Sequence, residues 1–216
     1  MALTLLRRSP SAIAAHKRMG IASLPLPSAF RLSDCQMEIS KLEAAKRQLD
    51  CAIRLFLNDD DLSSIITLSR ASFRLLWDIY PTIATDGFEK PLSKVIEVIG
   101  WTRFNAIANF LKHADKDPEA QMEPDEVHAR SGIGFSIILY SRATNAYSPE
   151  MKAWETLMTL AEPEIWDSHP EPDHAGYDEF RRAVERYKAA TRKEQLAMGR
   201  SFLRGFKRIE MGMSPT

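Results

Sequence analysis

Two apolar stripes at helical spacing, separated by a few polar residues, constrain this chain more than any other feature. Between about Ile39 and Leu57, the residues Leu42, Ala45, Leu49, Ala52, Ile53 and Phe56 recur at the period of an amphipathic helix. Glu43 and Arg47 form an i,i+4 pair on the opposite side. Asn58, Asp59, Asp60 and Asp61 interrupt the pattern and offer a cap for a second helix. That helix carries Leu62, Ile65, Ile66, Phe73, Leu76 and Ile79 on its core face and is expected to stop at Pro81. Two long helices with so short a connection are expected to lie antiparallel, as a helical hairpin.

The rest of the chain reads the same way. A short helix near Leu92–Ile99 ends at Gly100, and another runs from Trp101 to Ala114. Asp115–Glu123 is polar and reads as a loop. Pro124, Asp125 and Glu126 suit the first turn of a helix that continues to about Tyr147, through the apolar run Ile133–Tyr140. Ser148 and Pro149 start a further helix through Leu160, and Glu162–Gly176, with three prolines, reads as a loop or linker. The last helical stretch, Tyr177 to about Met211, presents Phe180, Val184, Tyr187, Leu196, Phe202, Leu203 and Phe206 among many Arg and Lys residues. No hairpin-forming strand pair is visible.

Composition narrows the function classes. Twenty-nine Lys and Arg balance twenty-nine Asp and Glu, so overall charge gives no handle on nucleic acid or an anionic membrane and leaves only local patches. No apolar run approaches the ~18 residues of a membrane span. Cys35 and Cys51 match neither a redox pair nor a zinc spacing, and a cytoplasmic chain with two thiols is expected. The nucleotide-cradling glycine motifs and the G-x-S-x-G elbow are absent, so no cofactor is implied. Met1–Ser33 lacks acidic residues and carries Arg7, Arg8, Lys17, Arg18 and Arg31. It reads as a disordered tail, a transit-like segment, or sequence upstream of a true start at Met37.

Three groups of residues invite a chemical reading. On the Trp101 helix, Thr102, Asn105, Asn109, Lys112 and His113 fall in one polar stripe beside the apolar face of Phe104, Ile107, Ala108 and Leu111. Amides, an ammonium and an imidazole so placed suit a phosphate and a proton transfer near neutral pH, although an amphipathic helix needs a wet face in any case. Asp167, His169, Glu171, Asp173 and His174 have the right donor chemistry for a metal, but they lie among prolines without converging spacing, and Glu126 and His128 diverge on their helix, so no metal site is assigned. Gly132 and Gly134 interrupt a helical pattern, where they cost stability relative to Ala; they suit close approach of another helix or a ligand lying between helices.

The segment Lys41–Tyr80, with its A-x-x-x-L-D-x-A-I-x-L-F pattern (Ala45, Leu49, Asp50, Ala52, Ile53, Leu55, Phe56), and the segment Asn109-Phe-Leu-Lys-His-Ala-Asp-Lys-Asp-Pro118 together resemble an uncharacterised bacterial helical family, and more broadly HEPN domains. The likeness spans about Ser40 to Asn145. It implies a small helical bundle that binds RNA or cleaves it without a metal, as in toxin or defence proteins, with two subunits forming the site. On that resemblance His113 is the general acid or base, Arg103 and Lys112 are phosphate partners, Asn109 orients His113, and Asn105 joins the substrate-binding set. Active members carry an arginine shortly ahead of the histidine. Here Ala106, Ile107 and Ala108 occupy those positions, and the nearest arginine is Arg103, with nine residues intervening.

The expected architecture is an all-α bundle of about five to seven helices. It is divided into a disordered tail (1–36), the bundle (37–161), a loop (162–176) and a basic C-terminal helical extension (177–216). Three functions are carried forward: a HEPN-like RNA-binding or RNA-cleaving homodimer; a non-enzymatic interaction module with the C-terminal helix as its partner arm; and a small-ligand binder between helices, marked by Gly132 and Gly134, which calls for an apolar pocket with a few convergent polar groups.

Overall fold

The computed structural model of the chain describes residues 38–112, 118–164 and 175–214. Among them all regular structure is helical: α1 (Lys41–Leu57), α2 (Leu62–Ile83), α3 (Glu89–Ile99), α4 (Trp101–Lys112), α5 (Glu126–Thr144), α6 (Pro149–Ala161), α7 (Tyr177–Ala189) and α8 (Arg192–Glu210). The expected tail, His113, and the acidic-histidine group from Asp167 to His174 lie outside the described residues.

Local chemistry places most boundaries. Ser40, Asp61, Asp125, Ser148 and Thr191 each accept a backbone N–H of the first turn that follows. Pro149 sits at the first position of α6, where it forfeits no helical bond. Gly100 ends α3 at φ +88°, open to glycine and strained for other residues.

Two expectations need correction. Pro81 does not stop α2, which continues to Ile83. A proline so close to a helix end removes one backbone bond, its ring already has helical φ, and Ala84 N–H still reaches Tyr80 O across 2.9 Å. The C-terminal stretch is two helices rather than one, so the described residues hold eight helices, above the expected number. The break falls at Ala190, where Thr191 and Glu194 form a reciprocal capping box that restarts the helix.

The core is one cluster to which α1, α2, α5 and α6 contribute most. Leu49, Ile53, Ile65, Ile66, Leu76, Ile133, Ile137, Leu139 and Trp154 are essentially fully buried. Packing of α1 on α2 is tied by Ser72 Oγ, which donates to Ala45 O across 2.8 Å. α2 and α5 approach closely where side chains are small: a Cβ built on Gly132 would stand 2.5 Å from Ser69 Oγ. Ser136 Oγ donates to Gly132 O in the same place. α4 packs on α2 and α5 through an aromatic chain. Phe73 packs against Trp77 and Phe104, Trp77 against Trp101, and Phe104 against Phe135 of α5, with ring centroids 5.1–5.7 Å apart. Beside them, Tyr80 OH and Arg142 Nε both donate to the Asp86 carboxylate, which fastens the loop after α2 to α5.

α8 lies against the body. A Cβ on Gly199 would meet Leu57 and Leu157 side chains at 2.5 and 3.0 Å, and Leu196 is buried. Three of its cations take part in this docking. Arg192 pairs with Asp59 and Glu126, Arg200 donates to the carbonyl of Leu57, and Lys207 pairs with the buried Glu150, which Arg54 also reaches. No helix among the described residues is long and apolar enough to cross a membrane.

Candidate functional site between α5 and α6

The face of α5 that carries Val127, Arg130, Ser131, Gly134 and Phe135 follows the i, i+3, i+4, i+7, i+8 spacing of a single helix stripe. Opposite it, α6 contributes Trp154, Met158 and Glu162, the last being the residue that caps its C-terminus. Together they line a cavity of about 350 Å³. Its walls are mainly apolar. An ion pair between Arg130 and Glu162 bridges the two helices beside it. Gly134 is what keeps the space open: a Cβ there would meet nothing within 4 Å, in contrast to Gly132 two residues earlier.

Behind this wall stands Arg70 of α2, only 5% exposed. Its guanidinium lies 3.6 Å over the Phe104 ring, and its Nη2 donates to Ser131 Oγ at 3.0 Å and, at 3.4 Å, to His128 O. Among the described residues, the buried Nη1 has no acceptor and no carboxylate pairs with the group. Burial alone pulls its pKa down to about 10, so it remains cationic at neutral pH. A second buried donor without an acceptor, Trp154 Nε1, belongs to the α6 wall. The other edge of that indole region packs on Phe56 at 4.8 Å.

Other buried charges are satisfied. Asp50 accepts from Lys46 Nζ at 2.8 Å and from Ser148 Oγ at 2.6 Å. Burial pushes the Glu150 pKa up, but hydrogen bonds from Lys207 and Arg54 outweigh it and hold the carboxyl below its usual range. Burial raises the Glu155 carboxyl.

The residues predicted from sequence are placed differently. Arg103 and Asn109 are exposed on α4, about 120° apart around the helix at ~100° per residue. Asn105 Nδ2 donates to Trp101 O at 3.0 Å, so its amide is engaged by its own helix. Lys112 ends α4 with its side chain outside the described residues, as is His113. Leu111, expected on the core face, is 40% exposed, because α4 is held at its other end by Trp101 and Phe104. Among the described residues no group of three His, Cys, Asp or Glu could hold a metal ion.

Sequence reasoning singled out Gly134 but missed Arg70 and Trp154. The signal for Arg70 was its position in one stripe with Ile66 and Phe73, at i+4 and i−3 spacing. No protein-family model, no curated protein and no solved structure matches the chain.

Proposed function

We propose that the protein is a helical small-molecule binder whose ligand lies in the groove between α5 and α6. The carrying observation is that the cavity combines apolar walls with the opening at Gly134, in front of an arginine that no carboxylate among the described residues pairs with. At about 350 Å³ the cavity falls at the small end of ligand sites, which run from roughly 300 to 1,000 Å³ and pair apolar walls with a few polar groups. In this reading α1 and α2 form the antiparallel hairpin that supports α5 from behind, consistent with their four-residue connection and the Ser72–Ala45 bond.

Thermal-shift screening of small apolar acids, alcohols and amides against wild type and Gly134→Leu tests the reading. A ligand at a hundredfold excess over Kd adds about 2.7 kcal/mol to stability. Such shifts are expected for wild type and absent for Gly134→Leu, whose side chain would occupy the cavity. Equal shifts in both proteins would overturn the assignment.

The second reading is the HEPN-like one, a homodimer that binds RNA or cleaves it without a metal. It is supported by the resemblance of the α4 region and by exposed Arg103 and Asn109. Metal-independent cleavage of total RNA by wild type, lost in folded His113→Ala of equal mass, is its test; equal inactivity sinks the cleavage reading.

A further inference from the structure

We infer that the ligand of the α5–α6 groove is a small organic acid with a compact apolar body, bound with its anionic group towards Ser131, in front of Arg70. This inference rests on the groove reading above.

The polar groups of the groove are unbalanced in one direction. Of the three buried polar atoms without partners among the described residues, two are donors: Arg70 Nη1, behind the groove wall, and Trp154 Nε1, which is itself fully covered. The third, Gln48 Oε1, is an acceptor on α1 and does not belong to the groove lining. The groove carboxylate, Glu162, is already engaged by Arg130. What the groove has behind its wall is a cation without a counterion among the described residues.

Charge points the same way. Elsewhere Asp50 pairs with Lys46, and Glu150 with both Arg54 and Lys207. Arg70 has no such counterion. Its positive charge faces the groove through one hydroxyl, since Ser131 Oγ accepts from Nη2 at 3.0 Å and Ser131 lines the cavity. In a poorly polarisable wall, a charge set a few ångströms behind the surface is weakly screened, so it favours an anion without having to touch it. Arg130, on the same α5 stripe, adds a second cation that Glu162 largely offsets.

The body of the ligand follows from the remaining walls. Val127, Phe135, Trp154 and Met158 offer apolar and aromatic surface, and the volume of about 350 Å³ limits the ligand to a small molecule. Phe135 is itself held in the aromatic chain through Phe104, the ring on which Arg70 stacks, so cation and apolar wall are parts of one rigid block.

The test compares two probes of nearly identical shape, 1-naphthylacetate and the neutral 1-naphthylacetamide, by titration calorimetry at neutral pH. The protein is full-length wild type, Arg70→Met, Arg70→Lys and Gly134→Leu. Wild type should bind the acid roughly tenfold or more tightly than the amide, the margin of a charge-assisted over a neutral interaction. Arg70→Met, which keeps a stem to pack on Phe104, should bind both probes with a ratio near one. Arg70→Lys should keep a preference for the acid, and Gly134→Leu should bind neither. Thermal melts confirm that each variant is folded. Equal affinity of wild type for acid and amide, or an undiminished ratio in Arg70→Met, overturns the acid inference and leaves the groove reading standing. Binding of neither probe to wild type, or undiminished binding to Gly134→Leu, overturns both.

Discussion

The Nη2 of Arg70 donates to Ser131 Oγ across 3.0 Å, and this bond ties the one unpaired buried cation among the described residues to the wall of the α5–α6 groove. Ser131 in turn donates to His128 O at 3.1 Å, so the carbonyl that Arg70 also approaches has a second donor. Removing the guanidinium therefore leaves His128 O with a donor, and Ser131 Oγ keeps the bond it donates.

Stability should reflect this. A base whose folded pKa is lowered to about 10 carries a burial penalty that is complete below that pH and is relieved as pH rises through it. At neutral pH the penalty is fully present, and replacing a buried unpaired ion with an apolar side chain of similar length is often stabilising. Arg70→Met is expected to melt at or above the wild-type temperature at pH 7, with its margin over wild type shrinking above pH 10. A loss of several degrees at pH 7 would show that the cation is matched in a way its contacts do not reveal.

The two glycines of α5 should respond with opposite sign. Gly134→Ala is expected to stabilise by up to about 1 kcal/mol, since the new methyl meets nothing within 4 Å and alanine is the better helix former. Gly132→Ala is expected to destabilise by roughly 1–3 kcal/mol, because its methyl would stand 2.5 Å from Ser69 Oγ and 3.1 Å from Ser69 Cβ. Urea denaturation of the two variants checks the contrast.

Acid should loosen the attachment of α8. Glu150 has a depressed folded pKa, so its pairing with Arg54 and Lys207 contributes stability above the unfolded carboxylate pKa near ~4.3 and loses it as pH falls through the folded value. Both cations are about two-fifths exposed, which screens the pairs. Glu150→Gln is therefore expected to cost only about 1–2 kcal/mol at pH 7 and to flatten the stability profile between about pH 5 and 3. An unchanged slope in that window would remove Glu150 from the account.

Deleting α7 and α8 after Gly176 separates a docked helix from a free arm. Leu57 and Leu157 would lose the Gly199 surface, and Glu150 would lose Lys207. A lowered melting temperature or outright unfolding is expected by circular dichroism. A truncated chain as stable as the full one would return the C-terminal helices to the role of a partner arm.

Much of the fold was legible because its signals are local. The stripes of α1 and α2 and the Ser148–Pro149 start of α6 each depend on neighbours within a turn or two. The split between α7 and α8 was also written locally, in Thr191 and Glu194, but the apolar spacing from Val184 to Leu196 runs across it and suggests continuity. The groove was only half legible. Gly134 shows as an oddity in a helix, yet whether a glycine opens a cavity or admits another helix depends on what faces it, and Gly132 met Ser69 while Gly134 met nothing. Arg70 was hidden because an arginine at a stripe position ordinarily extends to solvent along its aliphatic stem; here Phe104, brought in from α4, covers it.

The most direct test of the account is the indole N–H resonance of Trp154, assigned with Trp154→Phe in protein labelled with ¹⁵N-tryptophan and followed while 1-naphthylacetate is added. Trp154 lines the proposed groove. The account predicts a saturable shift of this resonance, the mark of an acid seated against the Trp154 ring, larger than that of any other tryptophan and absent in Gly134→Leu. A Trp154 resonance that stays in place while the acid binds would contradict it.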